Sequence, residues 1–176
     1  MKFLQIIFLL VLSLNICYGQ SIKDSSIHVT RKGWPTEQAY NFSGISSTGQ
    51  LINLSDLRGK YVLLDFWASW CHTCRNFSPE LLKLYNLYKL EAIEFIGIAS
   101  DVGKENKWKA AILKDNISHW PQILDNNIAI EYSIYSIPVL ILIDPSGQII
   151  NRFGGIGQSK ASLKFVLKKL FSAKKN

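Results

Sequence analysis

Two cysteines separated by two residues, Cys71-His72-Thr73-Cys74, are the side chains here best suited to chemistry. One helical turn brings sulfurs at this spacing within bonding distance, which is the arrangement of a reversible disulfide. Zinc is a rival use of the pair. It needs four ligands, and no second Cys/His pair at ligand spacing accompanies the first; His28 and His119 stand alone. A purely structural disulfide is the second rival, but it would close a loop too short to restrict the unfolded chain much. A redox-active Cys71–Cys74 dithiol, without metal or bound cofactor, is the favoured reading.

The flanking residues say how the pair is positioned. Val62 to Trp67 is an apolar run with one acid, Asp65, and reads as a buried strand. After the cysteines, Phe77, Leu81, Leu84, Tyr85 and Tyr88 recur at helical spacing, which predicts a helix to about Leu90. Cys71 therefore falls at or just before a helix's first turn, where unpaired N–H groups favour a thiolate. Trp70 and His72 flank it and are candidates for tuning that thiolate. A charged His72 would stabilise it; the plainer alternative is a histidine that simply faces solvent. Asp65, inside an apolar strand, costs energy unless it is neutral or paired, and burial raises its pKa into a range useful for proton exchange.

The string Asp65-Phe66-Trp67-Ala68-Ser69-Trp70-Cys71-His72-Thr73-Cys74, with a strand before it and a helix after it, resembles thioredoxin-fold proteins. It is more closely similar to the TlpA/ResA group of exported thiol-disulfide oxidoreductases, and the likeness runs from about Ala39 to the C-terminus. The resemblance implies an α/β thioredoxin fold: a central mixed sheet flanked by helices, an N-terminal β-hairpin, and a helical insertion ahead of a strand opened by a cis-proline. It makes Cys71 the nucleophile and a less exposed Cys74 the resolving thiol. It makes Pro138 the cis-proline facing the dithiol, with the backbone of Ile137 free to pair with a substrate strand. Pro79 matches the group's helix-kinking proline. Asp65 matches the acid of thioredoxin itself, whereas the TlpA/ResA group more often has a non-acidic residue there and a glutamate three residues after the second cysteine. Phe77 stands at that later position, so the expectation is that Asp65 has taken over proton transfer. The implied partners are disulfide-bearing exported proteins, apocytochrome c among them, and a membrane electron donor for re-reduction.

Two other functions compete with this one. A peroxiredoxin-type peroxidase would carry a proline- and threonine-containing approach to its cysteine, and Asp65 to Trp70 stand there instead. A non-catalytic binding module would have no use for two intact cysteines.

The 176 residues, 48% hydrophobic and 12% aromatic, fit one globular domain. Met1-Lys2, an apolar stretch from Phe3 to Leu12 and a small residue at Gly19 read as a cleaved export signal over 1–19. The stretch is short for a membrane anchor, and Ile16 is bulky where a lipoprotein signal before Cys17 wants a small residue. Loss of the signal would leave Cys71 and Cys74 as the only cysteines, in an oxidising periplasmic or other extracytoplasmic space. Residues 20–38 read as a flexible polar lead-in and 39–176 as the thioredoxin-like domain.

Within that domain, Tyr40–Phe42 and Leu51–Leu54 alternate around a small-residue turn, as a hairpin does. Ile93–Ala99 is a second buried strand, and Trp108, Ala111 and Ile112 place a helix over 104–116. Trp120 belongs either to the rim of the active site or, more commonly for tryptophan, to the core. A short helix over 126–132 precedes the strand after Pro138, and Asp144-Pro145-Ser146-Gly147 turns the chain into a returning strand. Lys160, Lys164, Lys168, Lys169, Lys174 and Lys175 give a terminal amphipathic helix a basic outer face within a formal charge of +7. No nucleic-acid motif accompanies them, so a solvated face is the reading.

Overall fold

The computed structural model describes residues 37–154 and 156–172. The segment read as an export signal, with Cys17, the Trp34-Pro35 pair and the lysines at 174 and 175 lie outside them, as does the side chain of Lys160.

Among the described residues, eight strands form two sheets. They are β1 (Glu37–Gln38), β2 (Ser43–Ile45), β3 (Leu51–Asn53), β4 (Tyr61–Trp67), β5 (Ile93–Ala99), β6 (Gln122–Leu124), β7 (Val139–Ile143) and β8 (Gln148–Gly154). The main sheet has the order β1-β8-β7-β4-β5-β6, and β2 and β3 make a separate hairpin. Strands β4, β5 and β6 are parallel, whereas β7 and β8 return antiparallel. The helices are α1 (His72–Arg75), α2 (Ser78–Tyr88), α3 (Glu105–Lys114), α4 (Asn126–Glu131) and α5 (Ile156–Ser172). This is the α/β thioredoxin architecture, with the hairpin in front and α3 inserted between β5 and β6.

Both faces of the sheet are covered, which is why β4 and β5 are nearly continuous apolar runs rather than alternating ones. Side chains alternate across a strand. Leu63 and Trp67 of β4 face a core with both cysteines, Leu81 and Leu84 of α2, Trp108 of α3 and Leu163 and Leu167 of α5. Val62, Leu64 and Phe66 face a second core with Phe42, Ile52, Ile128 and Tyr132. Tyr132 ties the hairpin region down, because its hydroxyl donates to the Tyr40 carbonyl at 2.8 Å. Trp120 is 3% exposed and packs on Tyr85 and Phe95, so it is a core aromatic rather than a rim residue.

Two boundaries differ from the sequence expectation, and the kink expected at Pro79 is present. The first hairpin strand is Ser43–Ile45 rather than Tyr40–Phe42, because Phe42 turns into the core while its carbonyl accepts from Leu54. β1 at Glu37–Gln38 pairs with Ile149 and Gln148 of β8, so the last two residues of the expected lead-in are strand. The long helix after the cysteines is broken at Asn76-Phe77, just before Pro79. Proline lacks the N–H that a continuous helix would use and crowds the preceding turn, so α2 restarts with Pro79 in its first turn.

Candidate active site

Strand β4 delivers the chain to the dithiol. Past Trp67 the backbone turns at Ala68–Trp70, with Cys71 N donating to Ala68 O, and enters α1. Cys71 is the N-cap of α1. Its backbone is extended, and its Sγ accepts from Cys74 N at 3.2 Å while bonded to Cys74 Sγ. The sulfur that ionises on reduction thus already sits on a helix-terminal N–H. Thr73 Oγ1 lies 3.3 Å from the same sulfur and is a second group able to donate to a thiolate.

The two cysteines are equally covered, at 5% and 4% exposure. In the oxidised form the expected difference in exposure between Cys71 and Cys74 is slight, and Cys71 Sγ lies on the Cys74 N–H. His72 is exposed at the start of α1, and Trp70 is 60% exposed beside it.

Register brings the remaining residues to the same end of the sheet. Val139 of β7 pairs with Phe66 of β4, and the strands are antiparallel. Pro138, one residue before β7, therefore stands at the end where β4 releases the chain toward Cys71. The Ile137–Pro138 bond is cis. Ile137 is half-buried and packs against both cores. Tyr135, 87% exposed, precedes it on the same loop and was not singled out in the sequence.

Asp65 is on the face of β4 shared with Leu63 and Trp67, the face that carries the dithiol core. It is 8% exposed, and burial alone pushes its carboxyl up from 3.8 to about 7. One row across the sheet explains its surroundings: Leu140 pairs with Asp65, Asp65 with Gly97, and Gly97 with Gln122. Gly97 has no side chain, and the Gln122 amide occupies the place where one would be, its Cδ 2.7 Å from an ideal Cβ. Gln122 Oε1 accepts from Trp67 Nε1 at 3.1 Å, and its Nε2 donates to Ile117 O at 2.9 Å. A fully buried amide therefore keeps its hydrogen bonds satisfied beside the buried acid.

A second polar group surrounds the turn before the cysteines. Asp101, after β5 and 1% exposed, accepts from Ser69 N and Ser69 Oγ, both at 2.6 Å. Arg75 Nη1 donates to Ser69 O at 3.3 Å, and Nε and Nη2 form a two-pronged pair with Asp115 at 2.6 and 2.8 Å. The bonds to Asp115 push the guanidinium pKa up further, so it stays charged. Gln122 was not recognised as a strand residue, and Ser69, Arg75 and Asp115 carried no signal of their own. Asp101 had appeared only as the end of a strand.

A buried dithiol at a helix start, opposed by a cis-proline at the end of a mixed sheet, defines a thioredoxin-fold redox protein. A thioredoxin-like family model matches residues 59–149. The chain is 32% identical to the thiol-disulfide oxidoreductase ResA of one Bacillus cereus strain, over 76% of this chain and 77% of the relative. It is 30% identical to that of a second strain, over 94% of each. A thiol-disulfide oxidoreductase structure from Bacteroides fragilis aligns with a TM-score of 0.68 at 33% identity, covering 77% of this chain and all of that one. The chain belongs to the thioredoxin-like family, in its TlpA/ResA-type group, and is a thiol-disulfide oxidoreductase.

Proposed function

We propose that the protein is an exported protein-disulfide reductase whose substrates are disulfides of other exported proteins, apocytochrome c among them. The observation that carries this reading is the Cys71–Cys74 bond at the cap of α1, with Cys71 Sγ on the Cys74 N–H. In the reduced protein the Cys71 thiolate attacks one sulfur of a substrate disulfide. A mixed disulfide forms and the other substrate sulfur leaves as thiolate. Cys74 Sγ then attacks Cys71 Sγ, the intramolecular disulfide closes and the second substrate sulfur leaves. Two electrons pass to the substrate, and the two protons of the dithiol end on its thiols. A dithiol donor at the membrane returns both to the protein.

In this reading Asp65 accepts the proton of Cys74 as that thiol attacks, which a carboxyl titrating near neutrality suits. The backbone of Ile137, just before the cis bond, is the edge against which a substrate strand lies. Trp70 and Tyr135 are the exposed apolar contacts at the same end. No helix among the described residues is long and apolar enough to cross a membrane.

The test is a reduction potential by equilibration with a thiol buffer, together with Cys74→Ser. A potential near that of thioredoxin, about −270 mV, and a mixed disulfide trapped on Cys71 support reduction of partners. A potential near about −120 mV means a disulfide donor and removes the reductase reading.

A further inference from the structure

Ser69, two residues before Cys71, has every polar atom engaged: N and Oγ donate to Asp101, and O accepts from Arg75. The Arg75 guanidinium reaches Ser69 because helical side chains tilt toward the N-terminus, over the turn before their own Cα. Arg75 N also donates to Cys71 O at 3.1 Å, which ties the residue carrying the guanidinium to the peptide of the nucleophile at the helix start. A cation is therefore held on the turn that leads into the cysteine that becomes a thiolate. Its charge is balanced by Asp115, which is 40 residues distant in sequence and belongs to the insertion.

Asp115 has little reason to be there for the sake of α3. It is the C-cap of that helix, where an acid opposes the helix dipole. The next residue, Asn116, takes a left-handed conformation at φ 55°, which asparagine tolerates, and ends the helix at that point. The Asp115 side chain is 11% and that of Arg75 26% exposed, so solvent screens the pair only in part.

We propose that Arg75 and Asp115 are positioning residues that set the acidity of Cys71 and the poise of the Cys71–Cys74 couple, with the inserted helix supplying the counter-charge. The inference rests on the redox reading of the dithiol. Only the reduced protein carries a thiolate, so a group that stabilises the thiolate favours the reduced form and makes the couple more oxidising. Arg75 acts in that direction and Asp115 moderates it. The other titratable groups around the turn are His72 on α1, Asp65 on β4, Asp101 after β5 and Tyr135 before the cis-proline.

The experiment compares Arg75→Gln, Asp115→Asn and the double variant in the full chain. The readouts are thiolate absorbance against pH and equilibration with glutathione. Asp115→Asn leaves the cation unbalanced, and the acid dissociation constant of Cys71 is expected to rise about three- to tenfold. Arg75→Gln leaves the carboxylate unbalanced, and the same constant is expected to fall. The exchange equilibrium with glutathione moves in the same sense, a tenfold change being about 30 mV for a two-electron couple. The double variant returns toward wild type. A loosened turn would shift both single variants in one direction, and that result overturns the proposal, as does a change below about twofold in both. Should Arg75→Gln fail to fold, Arg75→Lys retains the charge and is expected to stay within about twofold of wild type while Asp115→Asn shifts; an unshifted Asp115→Asn then overturns the proposal. A wild-type protein with no two-electron couple at all would instead remove the redox reading itself.

Discussion

Replacing Asp65 with asparagine removes one buried charge and little volume, and its effect on stability has a sign fixed by the structure. The carboxyl titrates near 3.8 in an unfolded chain and at about 7 in the fold, because burial disfavours the anion. Below pH 3.8 both states hold the proton and the group is neutral to stability. Between about 3.8 and about 7 the folded state keeps the proton that the unfolded state has lost, so stability falls as pH rises. Above about 7 the loss is complete. A difference of about 3 in pKa at 1.36 kcal/mol each gives about 4 kcal/mol. The group is 8% exposed, so solvent screening takes little from this figure. The amide introduced by the substitution would carry a constant cost, about 1–3 kcal/mol if unpartnered, but no pH dependence. The assay is denaturant unfolding of oxidised wild type and Asp65→Asn from pH 4 to pH 8. Every other titrating group is common to both and cancels in the difference. The variant is expected to gain about 4 kcal/mol on wild type across that range. A stability difference flat from pH 4 to pH 8 would refute the argument.

Further outcomes follow from particular contacts. Asp65→Asn should also slow disulfide reduction and remove the rate inflection near pH 7; unchanged rates across pH would exclude Asp65 from proton transfer. Gly97→Ala pushes a carbon into the Gln122 amide and should cost about 1–3 kcal/mol in denaturant unfolding, as overpacked cores do. Gln122→Leu strands Trp67 Nε1 and Ile117 O and should cost about 1–3 kcal/mol, with a change in Trp67 fluorescence. Tyr132→Phe deletes the bond to Tyr40 O and should cost about 1 kcal/mol by the same unfolding measurement.

The dithiol and the elements that carry it were legible because their signals are local. Apolar runs mark β4 and β5, and the cysteine spacing needs only one turn of helix. Asp65 announced itself as an acid in an apolar run. The polar group around Ser69 did not, because its members lie 32 and 40 residues apart and meet only when α3 docks. An aspartate at a strand end or helix end reads as an ordinary terminator until its partner is known. Gln122 was missed for a related reason: β6 has three residues, too few for periodicity to register. Glu37 and Gln38 look like polar leader until β8, more than a hundred residues later, offers them a ladder.

The Gln122 amide lodged over Gly97 also constrains how this chain could have arisen. An ancestor with a side chain at position 97 could not accommodate glutamine at 122 in its present pose, and one with glycine at 97 and a short residue at 122 would leave Trp67 Nε1 without its acceptor. The two positions, on neighbouring strands but separated by the whole insertion, are thus epistatic. A side chain at 97 excludes the present pose of Gln122, and a change at either position alone costs stability that a paired change would avoid. Among homologues, therefore, the residue at 122 should be long and amide-bearing where 97 is glycine and shorter where it is not.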